Sequence, residues 1–183
     1  MVLVMSPTPD ALHRRSRARD FCLAFAASTG PRELLDAFFV RAEPRITEHG
    51  PAWARARLPF LGHTFTGRET TTTTTNNGGE AERDTCDRYF ALLAETLSVG
   101  PEGLLVPSLE HFTYAPGHGD GVVSVVLQGT FVSVQTGKSW QEDFVHRFAF
   151  SSTEGRIEHW EIWADPLSAW FAVQDDSEGE GAT

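Results

Sequence analysis

Two ionisable residues, Glu142 and His146, stand four apart in a run of aromatic side chains, and chemistry is to be sought there first. From Trp140 to Phe150 the even positions are Trp140, Glu142, Phe144, His146, Phe148 and Phe150. The odd positions are Gln141, Asp143, Val145, Arg147 and Ala149. Successive strand side chains point to opposite faces, so this spacing predicts a strand with one aromatic and one mostly polar face. A carboxylate and an imidazole on an apolar wall must be paired, neutralised or directed into a cavity. An imidazole that titrates near neutrality can take or give a proton to an enolisable substrate, which makes His146 the candidate catalytic residue. The competing reading is a core histidine hydrogen-bonded to a neighbour. Glu142 lies about 13 Å along the strand, too far to pair with it, and is expected near the rim.

Other side chains qualify as ligand contacts. His49 and His63 border the segment from Pro51 to Leu61, which is placed to cover the mouth of such a cavity. Trp53, Tyr89, Trp140 and Trp160 are candidates for its wall, since a large aromatic cavity binds flat apolar molecules well. Histidines and carboxylates lack metal-ligand spacing, so no metal is expected. There is no phosphate-cradling Gly-rich loop and no Ser or Cys in a G-x-S-x-G context.

The elements that must position these residues follow from the same patterning. A chain of 183 residues fits one domain, expected over 13–173 after a loose arm at 1–12 and before an acidic tail at 174–183. Helices are predicted at His13–Ser28, from Pro31 through Phe39, and at Asp84–Leu97 with Asp84 as its cap. Arg45–His49 (RITEH) reads as a brief strand, Ala52–Arg57 as a helical turn and Leu58–Glu69 as a loop. Six threonines, Thr70–Thr75, begin a low-complexity insertion over 70–80. Strands are predicted at Leu104–Tyr114, where Pro107 is a candidate interruption, Val122–Gln135, Trp140–Phe150 and Arg156–Ala164, with a turn at Ala115–Gly121 and a short helix at Leu167–Val173. Helices first and hairpin-linked strands after them indicate an α+β fold: a curved antiparallel sheet with N-terminal helices over its concave face.

Composition limits the function. Apolar residues make up 40% and charged ones 22%, and fifteen basic against twenty-five acidic residues leave a net charge of −10. That balance excludes the basic footprint of a nucleic-acid binder. No apolar run reaches the ~20 residues that span a bilayer, so no membrane association is expected. Arg14, Arg15, Arg17 and Arg19 hint at a mitochondrial presequence, but Asp10 and Asp20 argue against it. Two cysteines, Cys22 and Cys86, in apolar helical patterns form no disulfide framework, and a reduced, cytoplasmic location is expected. An outer sheet face holding Trp163, Val145 and Phe131 would suit a homodimer contact.

Three segments carry a family resemblance: LPFLGHTFTGRE (Leu58–Glu69), CDRYFALLAETL (Cys86–Leu97) and FVHRFAFSSTEGRIEHWEIWADP (Phe144–Pro166). They resemble the SnoaL-like (polyketide cyclase-like) branch of the nuclear transport factor 2-like superfamily, in which G-R/K-E leads into the third helix and F-x-F…G-R/K-I…W…D marks the last two strands. The resemblance covers about Asp20 to Trp170, and the insertion after Gly67-Arg68-Glu69 departs from it. It implies a cone-shaped α+β barrel and, in the catalytic branches, isomerase, cyclase or dehydratase chemistry without a cofactor. The cyclase and epoxide-hydrolase branches carry a cavity aspartate five residues beyond the Ile of G-R/K-I, a position that here is Ile162; Glu161 should face the other way. The charged central-strand residues of the epoxide hydrolases have no counterpart in VVSVVLQG (Val122–Gly129). His146 falls about where cyclases carry a cavity histidine. The expected function is binding of a small apolar molecule, with His146 as acid-base group, or a non-catalytic binding or protein-interaction module on the same fold.

Overall fold

The computed structural model describes residues 9–69, 84–116 and 121–175. The arm before Pro9, most of the threonine-rich insertion, most of the acidic tail and His118 lie outside them. Helix α1 runs Pro9–Ala26, four residues earlier than expected, because Asp10 accepts from Arg14 one turn on at 3.1 Å. The arginines that hinted at a presequence hold the fold together. Arg15 and Arg19 donate to the carbonyls of Leu109 and Pro107, and Arg17 donates to Ala37. Helix α2, Pro31–Phe38, starts on its proline and buries Leu34 and Leu35.

Helix α3, Cys86–Thr96, is capped by Thr85, whose hydroxyl accepts from the Arg88 N–H at 3.2 Å. Asp84, the expected cap, lies one residue too early, and its carbonyl instead accepts from Thr66. Gly67-Arg68-Glu69 closes the insertion like a clasp. The Arg68 guanidinium reaches Asp87 at 3.1 Å and Asp36 at 2.9 Å, the Glu69 N–H donates to Asp87, and Cys86 N–H donates to the Gly67 carbonyl. These bonds tie Gly67, Arg68 and Glu69 to the first turn of α3.

The strands are β1 Arg45–His49, β2 His63–Thr66, β3 Leu97–Leu105, β4 Thr113–Ala115, β5 Val122–Ser133, β6 Ser139–Phe150 and β7 Ile157–Trp163. They form one curved, unclosed sheet in the order β2-β1-β7-β6-β5-β3, with β4 also on β5. The expected antiparallel sheet is in fact mixed, because β1 pairs parallel with β7. Two further corrections concern boundaries. His63–Thr66, expected as loop, pairs with β1, and the strand placed at Leu104–Tyr114 breaks after Leu105, beside the Pro107 interruption, where a 3₁₀ turn follows at Leu109–His111. Strand β3 begins directly after α3 at Leu97 and tolerates Pro101 because it lies at the sheet edge.

The inward face is aromatic and α1 lies across it. Phe21 meets Phe148 at 5.6 Å and Trp160 at 4.9 Å, edge to face. Along β5 the odd residues point inward, so Phe131 is buried; it does not join Val145 and Trp163 on the outer face as expected. Helix α4, Pro166–Ala172, closes the end of the sheet, with Asp165 capping it through Leu167 N–H and Ser168.

Candidate functional site

Strand pairing assembles an inward row across four strands. Thr47 pairs with Glu161 and His49 with Trp163, which sets Glu48 beside Ile162. Ile162 pairs with His146, and His146 with Val125. Glu48 and His146 thus flank Ile162, each about one strand spacing, roughly 4.8 Å, from it. They border a cavity of ≈ 50 Å³ within a crevice whose non-atom space, open solvent included, is ≈ 600 Å³. Its walls include Phe60, Tyr89, Phe131, Phe144, Trp160 and Ile162, and its more exposed end holds Glu142 and Asp165.

His146 is only 3% exposed. Its Nδ1 accepts from the Trp160 indole N–H at 2.9 Å, and its ring stacks on Trp160 at 5.5 Å. Burial drives the imidazole down to about 3, so it is neutral at any ordinary pH. With Nδ1 occupied as an acceptor, the proton must sit on Nε2. No hydrogen bond from another described residue reaches Nε2. The neutral ring can donate to a ligand through Nε2–H and is a weak base.

Two carboxyl groups line the same crevice. Glu48, 7% exposed, accepts from the Tyr89 hydroxyl at 2.7 Å. Burial lifts it to about 8; the Tyr89 bond opposes that rise and the charge of Glu142 adds to it. Tyr89 is itself pushed well up by burial and by Glu48, so it stays protonated. Glu142 is lifted to about 7 by burial, with Asp165 adding to the rise. The Trp140 indole N–H lies near enough to favour its charged form yet without hydrogen-bond geometry, and Glu142 Oε2 is buried without a partner. Two carboxyls that exchange protons near neutrality therefore share one apolar crevice.

Of the residues singled out from sequence, His146, Tyr89, Trp160 and Ile162 come together on this crevice. Four do not. His49 stacks on Trp163 at 4.1 Å on the outer face, with Nε2 3.3 Å from Glu161. Trp53 is 53% exposed and meets Trp170 edge to face. His63 lies 3.6 Å from Asp84 and packs on Phe65. Trp140 packs on Phe131, behind the lining. Glu161 faces outward as expected, bonded to Arg147. Glu48 was missed, although its signal was present: in RITEH it sits two residues after Ile46, on the same face as a buried aliphatic side chain.

No protein-family model matches the chain, and no curated protein matches its sequence. Solved structures do resemble it. An NTF2-like protein from Burkholderia xenovorans LB400 aligns at 13% identity over 90% of this chain and 98% of its own, with a TM-score of 0.56. A candidate SnoaL-like polyketide cyclase from Jannaschia sp. CCS1 aligns at 12% identity over 92% and 96%, with a TM-score of 0.57. A ketosteroid isomerase-like protein from Erwinia carotovora atroseptica aligns at 10% identity over 87% and 98%, with a TM-score of 0.55. At such identities the likeness concerns the fold.

Proposed function

We propose that this chain, whose fold is that of the nuclear transport factor 2-like proteins, is a SnoaL-like small-molecule enzyme that moves a proton on an apolar carbonyl compound. One observation carries the reading: a fully buried carboxyl, Glu48, held by Tyr89 and lifted to about 8, on the same inward row as the donor nitrogen of His146. The substrate carbonyl oxygen accepts from His146 Nε2–H. Ionised Glu48 removes a proton from the adjacent carbon, and the negative charge that forms on oxygen is met by the imidazole N–H. Glu48, now protonated, returns the proton at a second carbon, which completes an isomerisation; its return to the same carbon produces exchange alone. Tyr89 keeps its hydroxyl on the carboxylate throughout and fixes its direction. A base whose protonation changes near neutrality supplies about 10²–10⁴-fold in such transfers.

The direct test follows exchange of the acetophenone methyl protons in D₂O by NMR. The protein should accelerate exchange over buffer, and Glu48→Gln should abolish the acceleration, with a smaller loss for His146→Gln. Exchange no faster than buffer would remove the catalytic reading. If acetophenone still raised the melting temperature, the alternative would stand: a non-catalytic binding module, which the apolar side chain at Ile162 favours.

We also propose that the outer sheet face receives a second copy of the chain. Val126, Val145 and Trp163 lie side by side across β5, β6 and β7, at 56%, 43% and 37% exposure. Arg147, Glu161, Arg45 and Glu158 put both signs of charge beside them, as a self-complementary two-fold contact requires. Light scattering at micromolar concentration should give twice the chain mass, and Val145→Glu should halve it.

A further inference from the structure

The charge around the crevice is one-sided, and that bears on what it holds. Among the described lining residues there is no Lys or Arg, while Glu48, Glu142 and Asp165 all contribute. Two of the three are provided for. Glu48 has Tyr89, and Asp165 accepts from Leu167 N–H and Ser168. Glu142 is provided for only weakly: the Trp140 indole N–H lies close enough to favour its charged form, but Glu142 Oε2 is buried with no hydrogen-bond partner. A buried acceptor is nearly always satisfied, and an unpaired carboxylate in apolar surroundings costs far more than a neutral group.

The deep end has the opposite character. His146, 3% exposed, lines the cavity with Nε2 unbonded to any described residue, and its tautomer is fixed by Trp160. The crevice therefore offers a neutral donor at its floor and an unmatched carboxylate, backed by Asp165, towards its mouth. Aromatic walls between the two suit an organic cation, whose charge is attracted by ring faces.

We infer that the molecule bound here is an amino ketone: its carbonyl oxygen accepts from His146 Nε2–H, and its protonated amine seats against Glu142 at the mouth. This rests on the reading of the crevice as a small-molecule site and names the substrate class. It also implies rejection of anions, for which the lining has no counter-charge. Binding the cation holds Glu142 ionised, so affinity rises with pH through the neutral range while the amine stays protonated.

The test uses three flat ketones that differ in one group: 4-(aminomethyl)acetophenone, 4-(hydroxymethyl)acetophenone and 4-acetylbenzoate. Calorimetry on the full chain at pH 7.5 should rank the amine about tenfold or more above the alcohol, as one charge-assisted contact gives, with the carboxylate weakest. In Glu142→Gln the amine should fall to the level of the alcohol while the alcohol is unchanged. That variant keeps size and polarity, and circular dichroism checks that it is folded. Alcohol binding as tight as amine binding, or an amine preference that survives Glu142→Gln, overturns the inference and leaves the ketone reading intact. Failure of all three to bind overturns both.

Discussion

Replacing Glu48 by glutamine isolates the group on which the proposed chemistry depends, and its effect on stability can be worked out before any substrate is known. Glutamine keeps an oxygen for the Tyr89 hydroxyl to donate to and removes only the ability to ionise. In the folded chain the carboxyl is lifted from an ordinary 4.5 to about 8, chiefly by burial. Between those values the native state holds a proton that the unfolded state has released, so the stability it lends is complete below pH 4.5 and is lost as pH rises towards 8. Each pH unit across that span is worth about 1.4 kcal/mol. The variant escapes the loss. Its stability relative to the parent should grow by about 3 kcal/mol between pH 5 and pH 7 and level off above about pH 8. Urea denaturation of both proteins at half-unit pH steps measures this difference, and contributions from groups common to both cancel. A difference that stays flat from pH 5 to pH 8 would mean that Glu48 ionises as it does in water, and the proposed base would have no special environment.

His146 should appear in ¹⁵N spectra as the Nε2–H tautomer without titrating between pH 4 and pH 8, since burial takes it to about 3; its unfolded form gains a proton below about 6.5, so this group's contribution to stability is lost as pH falls from there. Tyr89→Phe should cost about 1–3 kcal/mol by leaving the buried carboxyl without its donor, and should move the pH dependence of exchange to higher pH. Arg68→Leu should cost roughly 1–3 kcal/mol in urea, because Asp36 and Asp87 both lose the shared guanidinium. Exchanging residues 70–83 for four Gly/Ser residues should raise stability by about 1 kcal/mol through the shorter loop closed by the same clasp, with acetophenone exchange unchanged.

The helices and long strands were legible in the sequence because each is periodic over many residues: Tyr89, Phe90 and Leu92 mark one side of α3, and alternation from Trp140 to Phe150 marks both faces of β6. The same alternation placed His146 inside. Glu48 escaped notice because a five-residue strand offers only two inward positions, and its importance comes from β7, over a hundred residues later in the chain. The parallel β1–β7 pairing is long-range and leaves no local pattern. The state of His146 is also set outside its own segment: Trp160, on the next strand, fixes its tautomer, and burial lowers its basicity. Phe131 was put on the wrong face because the parity of β5 was not traced back from its neighbour in β6.

The parallel β1–β7 pairing also sets an order of assembly. Antiparallel β5, β6 and β7 can zip up as successive hairpins, but the acid arrives on a strand from the N-terminal half, which must wait for its neighbour at Ile157–Trp163. On the ribosome, Glu48 has nowhere to dock until synthesis has passed Trp163, and until then a wall of Phe and Trp lies open to chaperones and to other nascent chains. The proposed base and the wall that shelters it thus come together in a single late event, and an interrupted chain would lack both.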